Sequence, residues 1–297
     1  MHPGCVVGGG NVTVFPTEFS ARTGPLVDAH SHLLDPEIYG VSAEEMLSRM
    51  WQAGVSGVTL FGPTTDLRQL QQAFPDYVIP FVQVRRDPLT KQLLLNENTV
   101  PSLEQALRTG AFRGIGELSL RHREFMFSPP GGDQNPADGP IPLQIYDLAA
   151  RYGVPVNIHV EHEFMQEVER ALQQKPNTTF IWAHMGDAQA GDVLGLMRTY
   201  PNLYADISTR NPFFRRPPPV DQASINLTYE DGTLKEEWRA LFEEFPDRFL
   251  FGIDLGTKGL GVVEPVMEYY RSVLAQLSPA AAEKIANGNL RRLLRLP

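Results

Sequence analysis

Eight short apolar runs, each followed by helix signals, constrain this chain more than any other feature. Strands 1 to 8 are expected at Leu26 to His32, Gly57 to Phe61, Val78 to Val84, Phe112 to Leu118, Val154 to Val160, Thr178 to Ala183, Leu203 to Ile207 and Phe249 to Ile253. The runs are continuously apolar, the pattern of strands buried on both faces of a parallel sheet. Helix signals fill the gaps. Ser42 and Glu45 form a capping box closed by Gly54, a helix from Asp66 stops at Pro75, and Ser102 and Gln105 form a second box before Gly110. Further helices are expected at Pro142 to Tyr152, Glu163 to Gln174, Asp192 to Tyr200 and Leu234 to Phe245, with two or three more at the C-terminus. Eight such repeats in 297 residues predict a closed (β/α)8 barrel, an α/β fold in one domain. An open doubly wound sheet would carry a Gly-rich loop after strand 1, where this chain has His30-Ser31-His32. The barrel is expected over residues 25–297, behind a Gly-rich flap over 1–24 with a β-like piece at Val12 to Phe15.

In a barrel of this kind the chemistry gathers where the strands end. Strand 1 ends in His30 and His32, strand 4 in Glu117, strand 5 in His159, strand 6 in His184 and strand 8 in Asp254. Residues two apart on a strand share a face, so His30 and His32 project together. Any one of these histidines has a bland explanation, a ring satisfied by a backbone carbonyl. Four of the seven histidines at equivalent strand ends, with two carboxylates, point instead to a site for divalent metal. Asp28 and Asp206 are expected to hydrogen-bond within the structure, Asp206 with a secondary claim to touch substrate.

Composition narrows the function classes. A net charge of −9 argues against nucleic-acid or anionic-membrane binding, and no apolar run reaches the ~18 residues that span a bilayer. Cys5 is the only cysteine, which removes cysteine-based zinc sites and intrachain disulfides, and no signal peptide is visible; a cytoplasmic protein is expected. The partner expected is a small molecule, and a homo-oligomer is compatible with the sequence.

Together, Asp28-Ala29-His30-Ser31-His32, Gly114-Ile115-Gly116-Glu117, Asn157-Ile158-His159, Trp182-Ala183-His184-Met185-Gly186 and Gly252-Ile253-Asp254 resemble the amidohydrolase superfamily of metal-dependent hydrolases. The ending Gly288-Asn289-Leu290-Arg291-Arg292-Leu293 is similar to that group as well. The resemblance implies that His30, His32 and Asp254 bind one divalent ion, that His159 and His184 bind a second, and that a carboxylate on strand 4 bridges them. In many relatives that bridge is a carboxylated lysine. None of the five lysines lies on a strand at that height, and the Gly-Glu context of Glu117 resembles the TatD-like branch, so the bridge implied is Glu117. Zinc is the first expectation for the ion, although imidazole and carboxylate suit Mn, Fe and Ni too.

The roles implied are metal activation of a water, with Asp254 as general base and His184 as a ligand or a substrate-orienting group. The expected reaction is hydrolysis of an ester, lactone, amide or phosphoester. A mononuclear decarboxylase of the same superfamily is the alternative, supported by Leu203-Tyr204-Ala205-Asp206-Ile207-Ser208; there His184 is an acid/base and Glu117 a neighbour of the metal. A non-catalytic metal-binding protein is disfavoured because the ligand set is complete. Basic residues follow several strands: Arg85 and Arg86, Arg121, His122 and Arg123, and Arg210, Arg215 and Arg216. Most should form ion pairs with Glu124, Asp133 or Asp221. Arg210, Arg85 and His122 are the expected contacts of an anionic substrate, and the loops Arg121 to Pro140 and Ser208 to Gly232 are long enough to act as lids.

Overall fold

The computed structural model describes residues 26–125, 128–214, 221–256 and 259–296, so the expected flap, Arg215 and Arg216 lie outside the described residues. The strands are β1 (Leu26–His32), β2 (Val55–Phe61), β3 (Val78–Val82), β4 (Gly114–His122), β5 (Val156–Val160), β6 (Phe180–Trp182), β7 (Leu203–Asp206) and β8 (Phe249–Leu250). They pair in parallel in that order. The ring closes just beyond β8, where Ala29 N donates to Phe251 O at 2.9 Å, Asp254 N to His30 O at 2.6 Å and His32 N to Leu255 O at 2.7 Å. One helix follows each strand: α1 (Ala43–Gln52), α2 (Thr64–Ala73), α3 (Thr99–Leu107), α4 (Pro140–Tyr152), α5 (Met165–Gln174), α6 (Ala190–Thr199), α7 (Glu236–Glu244) and α8 (Val263–Leu274). The expected (β/α)8 barrel is the fold.

Strand alternation sorts the core into two layers. Val27, Ala29, Phe61, Ile79, Phe81, Ile181 and Leu250 fill the lumen, joined by Leu290 and Leu294 of the C-terminal helix α10 (Asn289–Leu294). Their strand neighbours Leu26, Val58, Leu60, Val78 and Val82 face outward into the shell between strands and helices. Burying such a side chain is worth ~1.5–3 kcal/mol, so both layers favour one register. Asn289, in the C-terminal motif, fastens α10 to the barrel by donating to Pro246 O at 2.7 Å and Phe249 O at 2.8 Å.

Several local expectations shift. The second capping box is not used: α3 begins at Thr99, because Pro101 sits in its first turn, where a missing N–H costs nothing. Ser42 does cap α1, accepting from Glu45 N at 3.1 Å, and Met46, Leu47 and Met50 are buried, but Trp51 at the edge of that stripe is 38% exposed. Strand 4 runs on to His122, where Arg121 and His122 pair with the antiparallel Asp133–Gln134, so the first long loop opens as a ribbon. The second loop contains a short helix, Gln222–Ile225. No helix among the described residues is long and apolar enough to cross a membrane.

Candidate metal centre

The four histidines from β1, β5 and the turn after β6 come together where the strands end. Ring centroids are 5.5 Å apart for His30–His32, 4.6 Å for His30–His184 and 5.0 Å for His159–His184. His184 reaches this point through a left-handed turn: His184, Met185 and Gly186 have φ of 55°, 55° and 59°. Only glycine fits at 186, since a Cβ there would lie 2.2 Å from the Trp182 ring. Gly116, with φ of 127°, lets the β4 backbone pass against Asn157 O, which a Cβ would approach to 2.4 Å.

Glu117 stands at the centre of the cluster, 7% exposed. Its Oε2 is 3.4 Å from His32 Nε2, while its Oε1 is 2.8 Å from His159 Nδ1, 3.6 Å from His30 Nε2 and 3.7 Å from His184 Nε2. Asp254 divides in the same way: Oδ1 lies 3.6 Å from His30 Nε2 and 3.4 Å from His32 Nε2, and Oδ2 lies 3.8 Å from His184 Nε2. Side-chain donors thus converge as His30–His32–Glu117 and as Glu117–His159–His184, with Glu117 common to both.

Behind the histidines stands a row of hydrogen-bonding partners. Asp206, completely buried, lies 3.0 Å from His30 Nδ1 and accepts from His184 N at 3.1 Å and from the Ser208 hydroxyl. Ser208 Oγ is 2.7 Å from His184 Nδ1, and Glu161 Oε1 is 3.4 Å from His159 Nε2. Such partners fix which ring nitrogen faces the centre. Asp28 braces the backbone, accepting from His30 N at 3.0 Å and Ile253 N at 2.9 Å, and burial pushes its carboxyl up to about 7. Ser208 and Glu161 escaped the sequence reading. Both follow a recognised residue by two, Asp206 and His159, the spacing that singled out His30 and His32.

Electrostatics bind the set together. Burial alone would raise the Glu117 carboxyl, but the His30 and His159 charges and hydrogen bonds from His159 and His32 hold it well below the usual range. Asp254 is held at about 2 against its burial, by the hydrogen bond of His32 and the charges around it. Burial opposes charge on His32 and His159 too, yet the facing carboxylates raise both to about 10.

The donor set suits a divalent cation. His30 Nε2, fully buried, has no hydrogen-bond partner although it points among carboxylates and imidazoles. Leaving such an atom unpaired costs ~1–3 kcal/mol, which a coordinated ion would remove.

The structure does not bring Arg210 and Arg85 to this centre. Arg210 is 0% exposed, donates to Ala188 O at 2.7 Å and lies 4.7 Å over the Trp238 ring, a packing position within the shell. Arg85 lines a cavity of about 450 Å³ that contains none of the four histidines. His122 does come close: its ring stacks 3.8 Å from that of His159. Burial and the His159 charge drop its pKa to about 3, leaving it neutral. The other basic residues are tied in ion pairs, Arg86 with Asp133 at 2.7 Å, Arg121 with Glu167 at 2.7 Å and Arg123 with Glu161, Glu163 and Asp187. A cavity of about 860 Å³ opens beside them, bounded by His122, Arg123, Glu161 and Phe164.

Comparison with known proteins gives a consistent answer. No curated protein sequence matches the chain. Among solved structures, an uncharacterized TIM-barrel protein from Bordetella bronchiseptica is similar at 20% identity and a TM-score of 0.61, over 94% of this chain and 89% of that one. A 2,6-dihydroxybenzoate decarboxylase from Rhizobium is similar at 15% identity and 0.57, over 92% and 99%. A probable 2-pyrone-4,6-dicarboxylic acid hydrolase from Acinetobacter baumannii is similar at 12% identity and 0.63, over 91% and 99%. At these identities the likeness shows the barrel fold. The family model described as amidohydrolase (Amidohydro_2) matches residues 27–296, which takes in every residue of the centre, and the chain is a metal-dependent enzyme of the amidohydrolase family.

Proposed function

We propose that the chain is a hydrolase with a binuclear centre, cleaving an ester, lactone, amide or phosphoester bond in a small molecule. The observation that carries this is the central place of Glu117: one oxygen faces His32, and the other lies among His30, His159 and His184. In this reading His30, His32 and Asp254 would hold one divalent ion, zinc first among Zn, Mn, Fe and Ni, His159 and His184 would hold a second, and Glu117 would be a ligand available to both. When bound, such a pair lowers the pKa of a water and polarises the bond under attack.

The protein's own groups do the rest. Asp254 has its Oδ1 toward His30 and His32 and its Oδ2 toward His184, so one oxygen is free to take a proton and return it to the leaving group. Its low pKa in the metal-free protein keeps it ionised at neutral pH. Asp206 holds the His30 ring, and Ser208 holds that of His184, so neither can turn away. The 860 Å³ cavity borders the His159 side of the centre through His122 and Glu161, which makes it the proposed approach for substrate, with His122 a neutral contact on its wall. The arginines of that wall are occupied by carboxylates, and Arg210 and Arg85 lie elsewhere, so recognition of an anionic group by arginine is not part of this proposal.

A second reading has one observation in its favour. His159 Nδ1 and Glu117 Oε1 at 2.8 Å are at hydrogen-bond distance, which would leave His30, His32 and Asp254 as a single-ion site with His184 as acid/base, a decarboxylase arrangement. The solved relatives named above include a decarboxylase as well as a hydrolase. Metal-loaded protein should be assayed in parallel on panels of esters, lactones, amides and phosphoesters, and for CO2 release from hydroxybenzoates. Hydrolysis without CO2 release is expected; CO2 release as the faster reaction would replace the first reading by the second.

A further inference from the structure

We propose that the cavity of about 450 Å³ between α2, α3 and β3 is a second binding site, for a small organic oxyanion, outside the barrel wall and separate from the metal centre. Its floor shows which side of the wall it is on. Val82 and Leu103, both lining it, belong to the shell layer between strands and helices. Phe81, one residue earlier on β3, points the other way into the lumen and packs at 5.7 Å on Phe61, whose ring lies 4.9 Å from that of His30. Alternation along β3 therefore puts the Val82 floor of this cavity and the Phe81 side of the lumen on opposite faces of the strand.

The chemistry of the lining selects the ligand. Arg68 and Arg85 both line it as exposed side chains, and neither guanidinium is paired with a carboxylate among the described residues. That contrasts with Arg86, Arg121 and Arg123, each neutralised by at least one carboxylate. The uncharged polar lining includes Gln83, Asn98, Ser102 and Gln105, together with Asn96 and Thr99, whose side chains hydrogen-bond within the loop. No Asp or Glu lines the cavity, although the whole chain carries a net charge of −9. Two uncompensated guanidiniums, uncharged hydrogen-bonding groups and an apolar floor fit a phosphate or carboxylate on a short carbon body. The volume falls within the ~300–1,000 Å³ range of small-molecule sites. The anionic chemistry expected of Arg85 from the sequence is kept here, at a different place.

The test is calorimetric titration of the metal-loaded protein with inorganic phosphate, glycerol 3-phosphate and succinate, comparing wild type with the Arg68→Gln/Arg85→Gln double variant. Matched metal content and circular dichroism show that the variant is folded. Expected is a binding event in wild type that weakens at least ~10-fold in the variant, as loss of two charged hydrogen-bond donors predicts, and that weakens with added NaCl. The stronger of the phosphate and succinate probes then tells which oxyanion the site prefers. Binding of equal strength in both proteins would place the anion at the metal centre and overturn the proposal, as would no binding of any probe at millimolar concentration.

Discussion

The two halves of the metal centre are built differently. The His30–His32–Asp254 half comes from one strand and the segment that closes the barrel beside it, joined by the hydrogen bond from Asp254 N to His30 O at 2.6 Å. It keeps a fully buried imidazole nitrogen, His30 Nε2, without a hydrogen bond. In the other half His159 uses both nitrogens, Nδ1 on Glu117 at 2.8 Å and Nε2 on Glu161 at 3.4 Å. An ion entering either half displaces hydrogen bonds, those of His32 with Asp254 and Glu117 in the first and those of His159 in the second, but the first half also offers an unpaired buried imidazole nitrogen. If two ions are held as proposed, this difference predicts an order of loading, the first half binding more tightly than the second.

The largest effect expected on breaking this arrangement is at Asp254, whose two oxygens face the two halves. Asp254→Asn keeps an oxygen for the ion and loses the base, so turnover should fall ~10²–10⁴-fold with the fold intact. Steady-state kinetics at confirmed metal occupancy is the check; near wild-type turnover would place the base elsewhere.

A smaller effect separates the supports. Asp206 serves His30 directly and His184 through Ser208, so Asp206→Asn should weaken both ions, by ~10–100-fold in affinity. Of the four histidines Glu161 contacts only His159, so Glu161→Gln should weaken the second ion alone. Competition with a chromophoric chelator reads both affinities, and equal losses of both ions in the Glu161 variant would contradict the division into halves.

The smallest effect is in pH. Without metal, His32 and His159 titrate at about 10 rather than their ordinary ~6.5. Their contribution to stability is therefore fully present below pH ~6.5 and is lost as pH rises toward 10. Metal needs neutral imidazoles, so loading at pH 7.5 should release protons from both halves, from His32 in the first and from His159 in the second. Calorimetry in buffers of different ionisation enthalpy counts them. The melting temperature of the metal-free protein should also fall between pH 7 and 10; a rise over that interval would be incompatible with protonated His32 and His159.

How much of this was legible in the sequence follows the same division. His30 and His32 announce themselves because a strand repeats every two residues, and Asp254 because a lone carboxylate ends an apolar run. The barrel was legible from the same runs, since strand burial leaves a local pattern. Arg210 was misplaced because a basic residue in a Pro-rich loop reads as exposed, whereas Trp238, distant in sequence, covers it. The partners Ser208 and Glu161 became recognisable only once the rings they hold had been located in space.

The measurement that bears most directly on the central claim is the number of divalent ions per chain, read by elemental analysis after loading and gel filtration, in wild type and in His159→Asn. The account predicts about two ions in wild type and about one in the variant, the survivor being held by His30, His32 and Asp254. A single ion in wild type, unchanged by the substitution, would contradict it and leave His159 as a hydrogen-bond donor to Glu117.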